Sequence, residues 1–367
     1  MIIELHAIQS FGPTNLNRDD TGNPKEALFG GVRRARVSSQ SAKRAMRVSD
    51  LFRQAVNVET GTRTKRLSEQ LTEYLMAANI DEDEALAFAA EVIGSIFAKP
   101  NKKNERETNV LVYISPDEFN YVAENALAAY QQGGTVDVKQ IKKDLKDRSL
   151  APDIALFGRM LAEHPDLSVD AACQVAHALS THEVNSAEFD YFTAVDDLTP
   201  DAETGAGMLG LVAFNSATYY RCIRVDWNQL VSNLSGDHEL AATTVSALMT
   251  AFALVVPSGM KNSFVNQHAP DFLLAVVRPS NDGQSLDNAF EQPVRAIRGS
   301  GYVQPSVDAL TKYWEQTDRA FRLSDPLVAV MNPRHLELAS DELTAATQPD
   351  LRSWIGTITD ALRQVQA

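Results

Sequence analysis

The 367-residue chain has no apolar run approaching the roughly 18 residues of a membrane span, so the sequence predicts no membrane segment. Its first residues, MIIELHAIQSF, carry an acid where a secretory leader has its basic region, which points to a cytoplasmic protein. Only two cysteines occur, Cys173 and Cys222; they stand in no metal-ligand spacing and suit a reducing compartment. Among seven histidines there is no HExxH, and His177 and His182, five positions apart, would fall on different faces of a helix, which disfavours a shared metal. No GxSxG elbow is present, and FGGVRRAR matches neither GxGxxG nor GxxxxGK[ST], which removes the common hydrolase and nucleotide-binding readings. No cofactor and no metal are called for.

What is present is charge, unevenly distributed. The formal net charge is −14, yet residues 32–47, VRRARVSSQSAKRAMR, hold six cations and no acid, so all other positions together carry −20. A polyanion would therefore be taken up in one place rather than over the whole surface. Ser38 or Ser39 is a plausible N-cap, and nothing breaks a helix from about Gln40 to Asp50. On it Gln40, Lys43, Arg44 and Arg47 share one face, with Ala42, Ala45 and Met46 roughly opposite. An exposed charged face is often merely solvated, but no acid at i±4 relieves this one. Lys139, Lys142, Lys143 and Lys146 repeat the spacing with Asp144 and Asp147 interleaved, which suits loose backbone contact or a solvated face. The pairs Asp19/Asp20 and Asp196/Asp197 could hold Mg²⁺, though in loops such acids are commonly turn formers.

The elements follow from pattern. IIELHAIQ reads as a first strand, followed by a long Gly- and Pro-punctuated stretch. From about Lys65 to Ser180 the chain is predominantly helical, with capping starts at Asp81/Glu84 and Ser115/Glu118 and one strand at Val110–Ile114. EFDYFTAVDDL and LVAFNSATYYRCIRVD flank a Gly-rich tip and predict a hairpin-like projection. A helix near Glu239–Leu254, a strand FLLAVV and a last helix with Leu351, Trp354, Ile355, Ile358 and Leu362 on one face complete the chain. This order is compatible with an α+β, ferredoxin-like core carrying a large helical insertion.

The N-terminal signature LNRDD…K…FGG.RR.R.SSQS.KRAMR resembles that of the CasC-type backbone subunit of the type I-E CRISPR surveillance complex, Cascade, in the RAMP superfamily. DIALFGRM, AHALSTHEVNS, FTAVDDL, NAFE and QPSVDALTKYW extend the resemblance over nearly the whole chain. It implies a modified RRM-like palm (1–60 and 223–367), helical fingers (61–180) and a thumb hairpin (181–222). It implies guide-RNA backbone contacts at Arg18, Lys25, Ser38, Gln40, Lys43, Arg44 and Arg47. Around a displaced base it implies Asp20, Met160, Phe192, Thr193 and Val195, and at target DNA the stripe Lys139, Lys142, Lys143 and Lys146. Val32 departs from the family, which can carry lysine there. The implied partners are guide RNA, target DNA, further copies in a head-to-tail filament and other Cascade subunits. The family implies no catalysis; a metal-dependent endoribonuclease is the alternative, and a stand-alone DNA-coating protein a third reading.

Overall fold

The computed structural model describes residues 1–184, 187–192, 210–281, 283–299 and 301–365. The fold is α+β, and the chain divides into two compact units, each described by itself. The first comprises Met1–Phe52, Val175–Arg224 and Ser246–Val365; the second, Arg53–Gln174 with Val225–Val245. Residues 225–245, expected from the family resemblance in the second palm segment, group with the second unit.

The first unit is organised by a sheet. Strand β1 (Ile2–Thr14) lies between Phe272–Arg278 and Gly210–Asp226; outward come Leu327–Met331 on one side and, on the other, Ala178–Ser180, β3 (Val32–Val37) and β2 (Glu26–Phe29). Antiparallel register runs from Ile2 opposite Arg278 to Ile8 opposite Phe272. The apolar-polar alternation of β1 suggests one wet face, but both faces are buried, so its polar residues need internal partners. Glu4 accepts from Arg278 at 3.0 Å, and Arg278 also donates to Asp318 at 2.8 Å. His6 Nδ1 lies 2.8 Å from the Tyr220 hydroxyl.

Burial, reinforced by the Arg278 charge, lowers the His6 pKa to about 3 from an ordinary 6.5. A depressed histidine contributes stability that is complete above about pH 6.5 and is lost as pH falls toward 3. Its share has a limiting slope of about 1.4 kcal/mol per pH unit. His6→Gln should remove that share: urea titrations at pH 7 and pH 5 should differ less in the variant than in the wild type.

Helix Val303–Phe321 covers one sheet face with Val307, Leu310 and Trp314 against Phe272, Leu274 and Val276. The last helix, Leu351–Gln364, buries Trp354, Ile358 and Leu362 at the spacing read from the sequence, while Ile355 is half-buried. The Trp354 indole N–H donates to Ala329 O at 3.0 Å, pairing the polar atom that this burial removes from water. Cys173 and Cys222 are buried and form no disulfide, and burial pushes the Cys222 thiol up to about 12, away from the exposed, low-pKa character of a reactive thiol.

The second unit is built from helices Leu67–Met76, Glu82–Ile96, Pro116–Gln131 and Val138–Asp147 around Leu71, Leu75, Ile93, Ile96, Val122 and Leu145. Alanines at 85, 89, 123 and 126 let the backbones approach. The Ser115 capping box is complete, and Asp81 caps the helix at 82. The last α-helix before Ser180 ends at Phe157, and only a 3₁₀ turn at Pro165–Leu167 follows it. Gly158 has φ +73°, and a Cβ there would meet Val169 O at 2.8 Å, so the chain turns sharply and continues irregularly.

Candidate nucleic-acid interface

Helix α1 (Ser39–Arg47) starts where its sequence predicts: Ser38 is extended at φ −69°, ψ 145°, and its hydroxyl accepts from Ser41 N at 3.3 Å. Met46 is buried beneath it. Arg44 and Arg47 occupy its last turn, where the helix dipole favours cations.

The six cations of residues 32–47 do not act alike. Arg34 is fully buried and donates to the carbonyls of Phe29, Ser180 and Phe290 at 3.2, 2.9 and 2.7 Å, so it ties three segments together inside the fold. Arg33 pairs with Glu26 at 2.6 Å, and Arg36 donates to Glu26 O at 3.2 Å. On α1, Lys43 is half-buried and Arg44 exposed; among the described residues neither has an acidic partner within ion-pair distance. Arg47 and Lys25 are half-buried, and Gln40 is exposed.

Beside α1 opens a cleft of about 580 Å³. Ser41, Arg44, Ala45 and Val48 form one wall, the 16–22 turn with Arg18 and Asp20 a second, and Val256–Gly259 a third. The lining face of α1 is therefore one residue round from the predicted ridge, and Arg44 belongs to both. The cleft wall uses the small Ser41 and Ala45, while Gln40, Lys43 and Arg47 occupy the adjacent face of the helix. Ser38 is buried in its capping role, with its N–H donated to Asn17 Oδ1 at 2.9 Å. Sequence reasoning missed Ser41 and the third wall; the i+3 spacing of Ser41 to Arg44 was the available signal for the first.

The turn forming the second wall is built by Asp19, which accepts from Thr21 N, Thr21 Oγ1 and Asn23 N at 2.9, 2.7 and 3.0 Å. Those bonds, the Thr21 hydroxyl first, hold its carboxyl below the usual range. Asp19 thus has a turn-forming role, while Asp20 is exposed in the cleft. His177 Nδ1 accepts from Ser39 N at 3.1 Å; burial, then the charges of Arg36 and Lys25, keep its pKa low. His182 has a structural position, stacked 3.8 Å from Tyr302 and accepting from Thr218 N at 3.2 Å. No group of three or more His, Cys, Asp or Glu among the described residues is placed to hold a metal. No described helix is long and apolar enough to cross a membrane.

In the second unit, Met160 is 83% exposed between buried Arg159 and Leu161. Of the lysine stripe on Val138–Asp147, Lys142 Nζ lies 2.8 Å from His164 Nδ1 and Lys146 is 3.7 Å from Asp166. Lys139 and Lys143 are exposed, opposite the buried Ile141 and Leu145. Asp144 is engaged by Tyr121 and Gln140. Strand Glu188–Phe192 pairs antiparallel with Gly210–Asp226, placing Phe192 opposite Gly210, as the two extended arms predict. The Phe192 side chain, Thr193, Val195, Asp196 and Asp197 lie outside the described residues, as does the Gly-rich tip.

An α+β protein with Arg18 and Arg44 lining an open cleft is of a class suited chemically to holding a phosphodiester strand. The chain belongs to the CT1975-like protein family, whose model matches residues 3–356. It is similar to a chain of a solved CRISPR RNA-guided surveillance complex, pre-nicking, at 30% identity and TM-score 0.87, covering 99% of this chain and 100% of that one. A chain of another CRISPR RNA-guided surveillance complex is similar at 27% identity and TM-score 0.76, over 98% and 100% of the two. No curated protein sequence gives a significant match. Family and structures uphold the resemblance to a Cascade backbone-type protein.

Proposed function

We propose that this chain is a non-catalytic backbone subunit of a type I-E Cascade complex. Copies polymerise head to tail along a CRISPR guide RNA and present it for pairing with target DNA. The observation carrying this reading is the cleft beside α1, where Arg18 and Arg44 face open space and Arg44 has no neutralising acid among the described residues. Lys25, Gln40, Lys43 and Arg47 extend the guide contact beyond the cleft, and Ser38 supports it by capping the helix. Contacts with a displaced base are assigned to Asp20, Met160, Phe192, Thr193 and Val195 on the strength of the family resemblance, each residue taken by itself. Lys139 and Lys143, the stripe's two cations without a side-chain partner among the described residues, are its best placed contacts with DNA phosphates, joined by Lys142 and Lys146.

Two measurements test the reading. Met160→Ala should leave stability within about 0.5 kcal/mol, since the side chain is exposed. It should nonetheless weaken RNA binding about two- to tenfold, by loss of a thioether-base contact. Unchanged affinity would remove Met160 from the guide site. Incubating the assembled complex with complementary RNA and Mg²⁺, with and without EDTA, should leave the RNA intact in both. Regularly spaced, chelator-sensitive cuts would establish the endoribonuclease instead.

A further inference from the structure

The third wall of the cleft belongs to a segment that no sequence signature marks, and it is held in place with more contacts than a passive boundary needs. Beyond helix His238–Leu254 the chain passes through Val256, Pro257, Ser258 and Gly259 along the cleft. At Gly259 it lies directly on the second wall: a Cβ there would sit 2.3 Å from Leu16 O and 2.6 Å from Asn15 O, both backbone atoms with little room to give. Asn266 is buried; its amide donates to Gly259 O at 2.6 Å and its carbonyl oxygen accepts from the Thr14 hydroxyl, which anchors the segment to the end of β1. Phe264 packs on Phe214 with ring centroids 5.9 Å apart. Met260 takes the left-handed conformation at φ +50°, and its sulfur accepts from Arg18 Nη1 at 3.3 Å.

Residues 256–266 therefore form a fixed strap that also orients Arg18. On it Ser258 is exposed, lines the cleft, and has no hydrogen bond to its hydroxyl among the described residues.

We infer that this strap is a second guide-holding wall: Ser258 hydrogen-bonds an oxygen of the RNA sugar-phosphate backbone, and Gly259 is a positioning residue that sets the width of the cleft. The inference rests on the proposed guide-RNA function. A neutral hydroxyl and a cation have distinguishable signatures, because only the cation releases counterions from the strand. Losing Ser258 lowers affinity at every salt concentration and leaves the salt slope unchanged.

The experiment measures binding of the full chain to a fluorescein-labelled, unstructured single-stranded RNA across a salt series. Ser258→Ala should bind about three- to tenfold more weakly, the loss of one neutral hydrogen bond, with the wild-type slope. Ser263→Ala, an exposed hydroxyl on the same strap outside the cleft lining, should bind as wild type. Gly259→Ala should lose at least tenfold. If that variant fails to fold, the serine pair still decides. Wild-type affinity in Ser258→Ala, or an equal loss in Ser263→Ala, overturns the inference while leaving the guide function intact. Failure of the wild-type chain to bind RNA overturns the function and the inference with it.

Discussion

Replacing Lys43, Arg44 and Arg47 together by alanine should flatten the salt dependence of RNA binding by about two. If about six phosphates are neutralised per protomer, log K against log[salt] falls with a slope near −4 on single-stranded RNA, at ~0.7 per contact. Three lost contacts leave a slope near −2. At fixed moderate salt the affinity should fall on the order of a hundredfold, from charge-assisted hydrogen bonds worth about 1 kcal/mol each after salt screening. Stability should change little, because α1 keeps its Ser38 cap and the buried Met46. An unaltered slope would mean that this helix faces something other than RNA.

The largest stability effect is expected at a buried ion pair of the second unit. Arg159 and Glu118, with side chains 2% and 0% exposed, pair at 2.7 Å. Arg159 also donates to Leu167 O at 3.1 Å and Tyr113 O at 3.2 Å, while the other Glu118 oxygen accepts from Ser115 N at 2.9 Å. One ion pair thus joins a helix cap, a strand end and the turn that presents Met160. Arg159→Met would strand a buried carboxylate and should cost about 3–5 kcal/mol. Its urea midpoint should drop accordingly, and the double variant Arg159→Met/Glu118→Gln should recover part of the loss by removing the orphaned charge. A midpoint close to wild type would mean that the carboxylate finds water or another donor.

These two residues also show what a single sequence can and cannot disclose. The Ser115 capping box and the Ser38 cap are local: a hydroxyl, a spacing and the absence of breakers specify them within a few residues. Glu118 as the partner of Arg159 is not local, since 41 residues separate them. Composition misleads most at Arg34, which counts toward a basic stripe yet is used inside the fold on four backbone carbonyls. Glu4 and His6 make the converse case in β1: polar side chains that read as solvent-facing are buried because Arg278 and Tyr220 come from distant strands to pair with them. Charge spacing marks the right helix of the cleft but not its wall, since contact is made by the small Ser41 and Ala45 beside Arg44. The strap at 256–259 has no periodicity or charge of its own, and only the tertiary structure brings it to residues 16–22.

The central claim is that the open, cation-lined groove beside α1 holds a guide RNA. It is tested most directly by purifying the full chain from cells containing its CRISPR locus and sizing the nucleic acid that accompanies it. The account predicts RNA of one discrete length with the wild type and little or none with the Lys43/Arg44/Arg47 alanine variant. Equal recovery of that RNA by both proteins, or wild-type protein accompanied only by heterogeneous nucleic acid, would contradict it.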